Sequence, residues 1–167
     1  MDPQTLIHLI ADGAVVPIVL LAGYALIFYI PKGHRFEAYA RILVVGLTTY
    51  LLAKLLGSVY QPADVRPFEM LGLAPGALYL NNPGFPSDHA LFTTFLTLAV
   101  WFETRRKTIA IILGVLTLLV CIGRVLALVH TPLDVIGGVL VACVGALWYL
   151  QADRKSTPIR KKHKKAV

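Results

Sequence analysis

Three segments of this sequence gather side chains able to do chemistry: VRPF at 65–68, FPSDH at 85–89 and GRVLALVHTPLD at 123–134. They hold two arginines, Arg66 and Arg124, two histidines, His89 and His130, and the carboxylates Asp88 and Asp134. A neutral imidazole is a competent nucleophile or proton carrier near pH 7. A carboxylate four residues beyond a histidine can accept its second ring N–H and fix the tautomer. Ser87 reads as a helix N-cap, as does Thr131, with Pro132 at the first helical position and Asp134 in the first turn. Two helix N-termini plus two guanidinium groups make an anion site, and phosphate suits it best. Phosphoryl transfer depends mainly on positioning and charge stabilisation, which such groups supply. No set of residues has metal-ligand spacing, and no cofactor is expected.

The rest of the chain says where these groups must sit. Hydrophobic residues make up 57% of the 167 positions and charged residues 15%. Of the 25 charged residues, 8 fall in the last 15 positions, leaving 17 in the first 152. Soluble domains carry roughly 25% charge, and disordered chains are poor in Val, Leu and Ile. The composition excludes both and predicts an all-α, polytopic membrane bundle. Five apolar runs of about 17–23 residues suit a core of about 30 Å: 12–30, 38–60, 86–102, 108–128 and 131–150. The third is the shortest, so its start is expected slightly inside the membrane boundary. Leu6 to Ile10 is too short to span and either extends the first helix or lies at the interface. Residues 61–85 form the one long connection, broken repeatedly by Pro and Gly, with an interfacial turn expected at 78–80. Cys121 and Cys143 lie in apolar runs and read as buried structural thiols.

Lys and Arg counts orient the bundle. Lys32, Arg35, Arg41, Arg105, Arg106, Lys107 and seven basic residues of the tail share one side, 13 in all. Lys54, Arg66 and Arg124 alone share the other. The rule predicts a multi-pass plasma-membrane protein with its N-terminus outside and its C-terminus in the cytoplasm. The first basic residue is Lys32, so a secretory n-region is lacking. The basic tail follows Trp148 and Tyr149 and reads most simply as a solvated topology signal, with contact to anionic lipid as the alternative. The net charge of +7 therefore implies no nucleic acid. The three outer basic residues each need a local reason, because charge at membrane depth usually marks function. His89 starts a span running inward and Arg124 ends one running outward, so the two can meet across 35 residues of sequence.

At these residues the sequence resembles the type 2 phosphatidic acid phosphatase superfamily of membrane lipid phosphatases. The family pattern is Lys-x6-Arg-Pro, Pro-Ser-x-His and Ser-Arg-x5-His-x3-Asp. The second stands here as Pro86-Ser87-Asp88-His89. The third stands as Arg124-x5-His130-x3-Asp134, with Gly123 where Ser is usual. Arg66-Pro67 matches the end of the first, but its lysine position falls on Val59, and the nearest lysine is Lys54. The resemblance covers about 38–150 and implies one transmembrane lipid phosphatase domain over 1–152, with a basic cytoplasmic tail over 153–167. The family core usually has six spans, and the missing first one agrees with an outside N-terminus.

The resemblance implies hydrolysis of a phosphomonoester or diphosphate through a phosphohistidine, without metal, at the outer face. His130 is the implied nucleophile, Asp134 its orienting carboxylate and His89 the acid and then base. Arg66, Arg124, Ser87 and Lys54 are the implied phosphate ligands. Asp64 reads as a turn residue and Asp88 as a first-turn residue favoured by the helix dipole. His8, His34 and His163 read as interfacial. The partners are a membrane lipid phosphate and the bilayer. FPSDH and the short chain look like the bacterial undecaprenyl-diphosphate phosphatases, which implies lipid-carrier recycling for peptidoglycan synthesis and bacitracin resistance. Phosphatidate, phosphatidylglycerol phosphate and lipid A phosphate are the alternative substrates. A non-catalytic membrane protein that binds a phosphorylated lipid is the competing class, favoured by the lysine spacing and Gly123. A structural subunit leaves the outer charges unexplained, and a soluble haloperoxidase of the same family is excluded by the spans.

Overall fold

A computed structural model describes residues 2–63, 65–80 and 84–156, with the backbone alone over 152–156. Asp64, His163 and the tail beyond Ser156 therefore lie outside the described residues. The described chain is helical. Helix α1 (Pro3–His8) passes through a π turn (Leu9–Gly13) into α2 (Val15–Tyr29). Then come α3 (Arg35–Val59), the short α4 (Pro67–Met70), α5 (Asp88–Glu103), α6 (Lys107–Leu126) and α7 (Pro132–Ser156). Leu6 to Ile10 thus extends the first span. Four stretches are long and apolar enough to cross a membrane: Pro3–Tyr29, Lys32–Val59, Lys107–Leu126 and Pro132–Gln151. The chain is a multi-pass membrane protein.

Helix α5 is the fifth long helix and the axle of the bundle, packed against α2, α3, α6 and α7. Its 16 residues rise about 24 Å, short of a hydrocarbon core of about 30 Å. Because neighbouring helices surround it, its threonines find partners in protein. Thr93 and Thr97 donate to the carbonyls of His89 and Thr93, and Thr97 meets Thr117 of α6 at 3.2 Å. The packing is inside-out relative to a soluble domain. Among the described residues only two leucines, Leu91 and Leu113, are buried, while eighteen are exposed. Eleven buried positions are alanine instead. Lipid is as apolar as leucine, so helix association rests on small residues and close approach. Gly138 and Gly145 follow this rule: a Cβ would stand 2.5 Å from the Ser87 carbonyl and 2.6 Å from Thr49, respectively. Cys121 is buried, but Cys143 is exposed on the outer surface of α7, so the expectation of two buried thiols fails for Cys143.

One end of the bundle is tied by Arg41 of α3 and Glu103 of α5, paired at 2.7 and 3.1 Å. Arg35 caps the C-terminus of α2 by donating to the Ile27 carbonyl. The other end holds the starts of α5 and α7, the end of α6, the π turn and the long connection. That connection is built on the α6–α7 crossover. The Ala127 and Leu128 carbonyls accept from Gly76 and Phe68. Ala11, Phe68, Ala77, Ala127 and Val129 form one apolar cluster over this end. Residues 78–80 run without helix or turn rather than as the expected turn.

Candidate active site

The crossover sets the position of His130. Helix α6 ends at Leu126, and Leu128 takes a left-handed conformation with φ 58°. The reversal lets the His130 N–H donate back to the Arg124 carbonyl at 3.3 Å. Two residues on, α7 begins with a reciprocal cap. The Asp134 N–H donates to Thr131 Oγ1 at 3.2 Å, and the Thr131 N–H donates to Asp134 Oδ2 at 2.7 Å. The same Oδ2 stands 3.6 Å from His130 Nδ1. The cap thus aims the carboxylate, and the carboxylate faces Nδ1, leaving Nε2 as the nitrogen free for other partners. This distance exceeds a hydrogen bond, and such contacts commonly tighten when substrate binds. Burial pushes the His130 pKa down, an effect that Asp134 opposes and that Arg124 and Arg66 reinforce.

Among the described residues, His130, His89, Arg66 and Arg124 line one pocket, with Asp88, Leu80, Gly84 and Pro86 also on its wall. Arg66 reaches it from the residue before α4. Its guanidinium donates to the Val129 carbonyl and, at 3.1 Å, to the Leu80 carbonyl, while its own N–H donates to Glu69 at 2.9 Å. Burial pushes the Arg66 pKa down, with Asp134 and Glu69 opposing, and arginine stays charged throughout. Arg124 is the largest fully buried side chain among the described residues, 1% exposed. Gly84 lies so close to Asp134 that a Cβ would stand 3.3 Å from Oδ2.

Two residues expected to bind phosphate sit differently. Ser87 is at the N-cap position of α5, but its hydroxyl makes no capping bond. It is fully buried with Oγ unpartnered, away from the pocket lining. The Ser87 N–H instead donates to the Asp134 carbonyl at 2.9 Å, which joins the starts of α5 and α7. Lys54 does not line the pocket either; its ammonium holds Asp88 at 3.1 and 3.3 Å. Asp88, read from sequence as a first-turn residue, is therefore also the link between Lys54 and the pocket.

One residue escaped the sequence reading. Asp12, at the start of the first apolar run, lies on the π turn with its carboxylate beside Arg124. Oδ1 accepts from Arg124 Nη1 at 2.6 Å and stands 3.9 Å from His89 Nε2. Oδ2 accepts from the Leu78 N–H at 2.8 Å and stands 3.5 Å from His8 Nε2. The signal was present: an acidic residue at the edge of an apolar span needs a partner. Gly123 explains the approach. A Cβ there would stand 2.8 Å from the Ala11 nitrogen, so a serine at this position would push the π turn away. Among the described residues no group of three or more His, Cys, Asp or Glu could hold a metal ion.

The PAP2 superfamily profile matches residues 36–158. The chain belongs to the PAP2 superfamily. Membership carries phosphoric-ester hydrolysis as its coarse activity. No curated protein matches the sequence significantly. Among solved structures, the first transmembrane PAP2-type phosphatidylglycerolphosphate phosphatase from Bacillus subtilis is similar, with a TM-score of 0.59 and 23% identity. The alignment covers 96% of this chain and 82% of that one. At that identity the likeness is one of fold.

Proposed function

We propose that this PAP2 protein hydrolyses a lipid diphosphate or phosphomonoester through a phosphohistidine, with undecaprenyl diphosphate as first substrate. The observation that carries the reading is the convergence of two histidines and two arginines on one pocket, with Asp134 behind His130. His130 Nε2 attacks phosphorus, the bond to the leaving oxygen breaks, and His89 gives that oxygen its proton. Water then attacks, the P–N bond breaks, and the water proton passes to His89, which restores the starting state. Arg66 and Arg124 hold the phosphoryl oxygens. The protein supplies the nucleophile, the acid and base, and the phosphate ligands, and solvent supplies the water. The basic residues flanking the opposite end, with the tail from 153 on, favour a site facing the cell exterior or periplasm and a cytoplasmic C-terminus.

FPSDH favours the undecaprenyl lipid. The solved relative's name favours phosphatidylglycerol phosphate as second reading. The test is phosphate release by detergent-purified protein in EDTA, with undecaprenyl diphosphate, phosphatidylglycerol phosphate and phosphatidate offered side by side. Release from the diphosphate that disappears in His130→Ala is expected. Release from a monophosphate alone keeps the mechanism and overturns the substrate. His130-independent release overturns the mechanism, and no release from any lipid favours a phospholipid-binding protein.

A further inference from the structure

We propose that Asp12 is a positioning residue of this site, orienting Arg124 and balancing the charge that His89 faces. The inference rests on the roles proposed above for Arg124 and His89. Asp12 does not line the pocket; it stands behind two groups that do. Its carboxylate is anchored at both oxygens, by Arg124 on one side and the Leu78 N–H on the other. The apolar cluster that joins Ala11 to Phe68, Ala77, Ala127 and Val129 holds the π turn in place. The close approach of Ala11 to Gly123 puts residue 12 next to residue 124. The glycine that departs from the family pattern is thus the one that admits this carboxylate.

The charges around His89 give the device its purpose. Arg124 of α6 and His130 of the crossover face it, and Arg66 lines the same pocket. Asp88 on its own helix also faces His89 and is paired with Lys54 of α3. Asp134 of α7 lies behind His130, and α2 carries no charged residue. Asp12 is the carboxylate bonded to Arg124 itself, and it offsets that charge at His89. Its charge favours the imidazolium, the form of His89 that protonates the leaving oxygen. Without it, the imidazolium faces an uncompensated guanidinium. Each histidine then has its own carboxylate: Asp134 for His130 and Asp12 for His89.

Asp12→Asn tests this, because the amide oxygen still accepts from Arg124 and the side chain keeps its size while the charge goes, together with the bond from the Leu78 N–H. In the full-length, detergent-purified protein, kcat should fall about tenfold. The alkaline limb of its pH profile should move down by about one unit. Asp12→Glu should recover part of both. An activity loss with an unmoved pH profile would make Asp12 a structural clamp and overturn the proposal, as would full activity. Nitrogen-15 histidine resonances, assigned with His89→Gln, give a readout independent of turnover. The His89 titration should drop by about one unit in Asp12→Asn, and an unchanged titration overturns the proposal. If wild type releases no phosphate in a His130-dependent way, the proposed function fails, while the titration still decides the role of Asp12.

Discussion

The Lys54 ammonium of α3 lies against the Asp88 carboxylate of α5, 3.1 Å from Oδ1, and Asp88 in turn lines the pocket. Both side chains are nearly half exposed, 45% and 40%. An exposed pair of this kind contributes up to about 1 kcal/mol. The larger effect is on the pocket, because Lys54→Ala leaves a bare carboxylate facing the incoming phosphate. KM should rise by about fivefold with kcat nearly unchanged. Adding Asp88→Asn should bring KM back. Steady-state kinetics on both variants decide the matter, since a lysine that bound phosphate directly would leave the double variant impaired.

His130→Ala should lower kcat by at least about a thousandfold. The protein should remain folded, because the bond from residue 130 to the Arg124 carbonyl is made by the backbone and survives the change. Detergent gel filtration and a thermal melt separate loss of chemistry from loss of structure. Substantial residual turnover would remove His130 from the nucleophile's role.

The helices were legible because their period and apolar length are local properties, and the residues FPSDH and GRVLALVHTPLD carried the site. The Thr131 cap was legible for the same reason: donor and acceptor lie three residues apart. Ser87 was not. A capping residue can be recognised by type, but whether its hydroxyl caps depends on the strand of chain arriving at Asp134. Asp12 was missed because its partner lies 112 residues away. Sequence spacing cannot reveal a contact made through the approach of the Ala11 backbone to Gly123. Lys54 was picked out by distance along the chain from Arg66. In space, the side chain of α3 meets α5 before it meets the pocket.

Gly123→Ser restores the residue usual in the family and should nonetheless harm this protein. The new Cβ would stand 2.8 Å from the Ala11 nitrogen and 2.9 Å from its Cα, both backbone atoms that cannot rotate aside. Overpacking of this kind costs about 1–3 kcal/mol. A lowered melting temperature in detergent is the expected result. An unchanged melt would show that the π turn yields without cost.

The acid side of the pH profile should report His130. Burial disfavours the charged imidazolium and pushes its pKa below the ordinary value, about 6.5 for an unperturbed histidine. The neutral nucleophile therefore persists to lower pH, and the rate is lost only as pH falls through the lowered value. The acid limb of kcat/KM should have its midpoint below about 6.5. Asp134 acts in the opposite direction, holding the pKa up through its contact with the ring. Asp134→Asn should accordingly move the acid limb further down while lowering kcat, because the imidazolium-like charge formed during attack loses its partner. A limb that moved up in this variant would place the titrating group elsewhere.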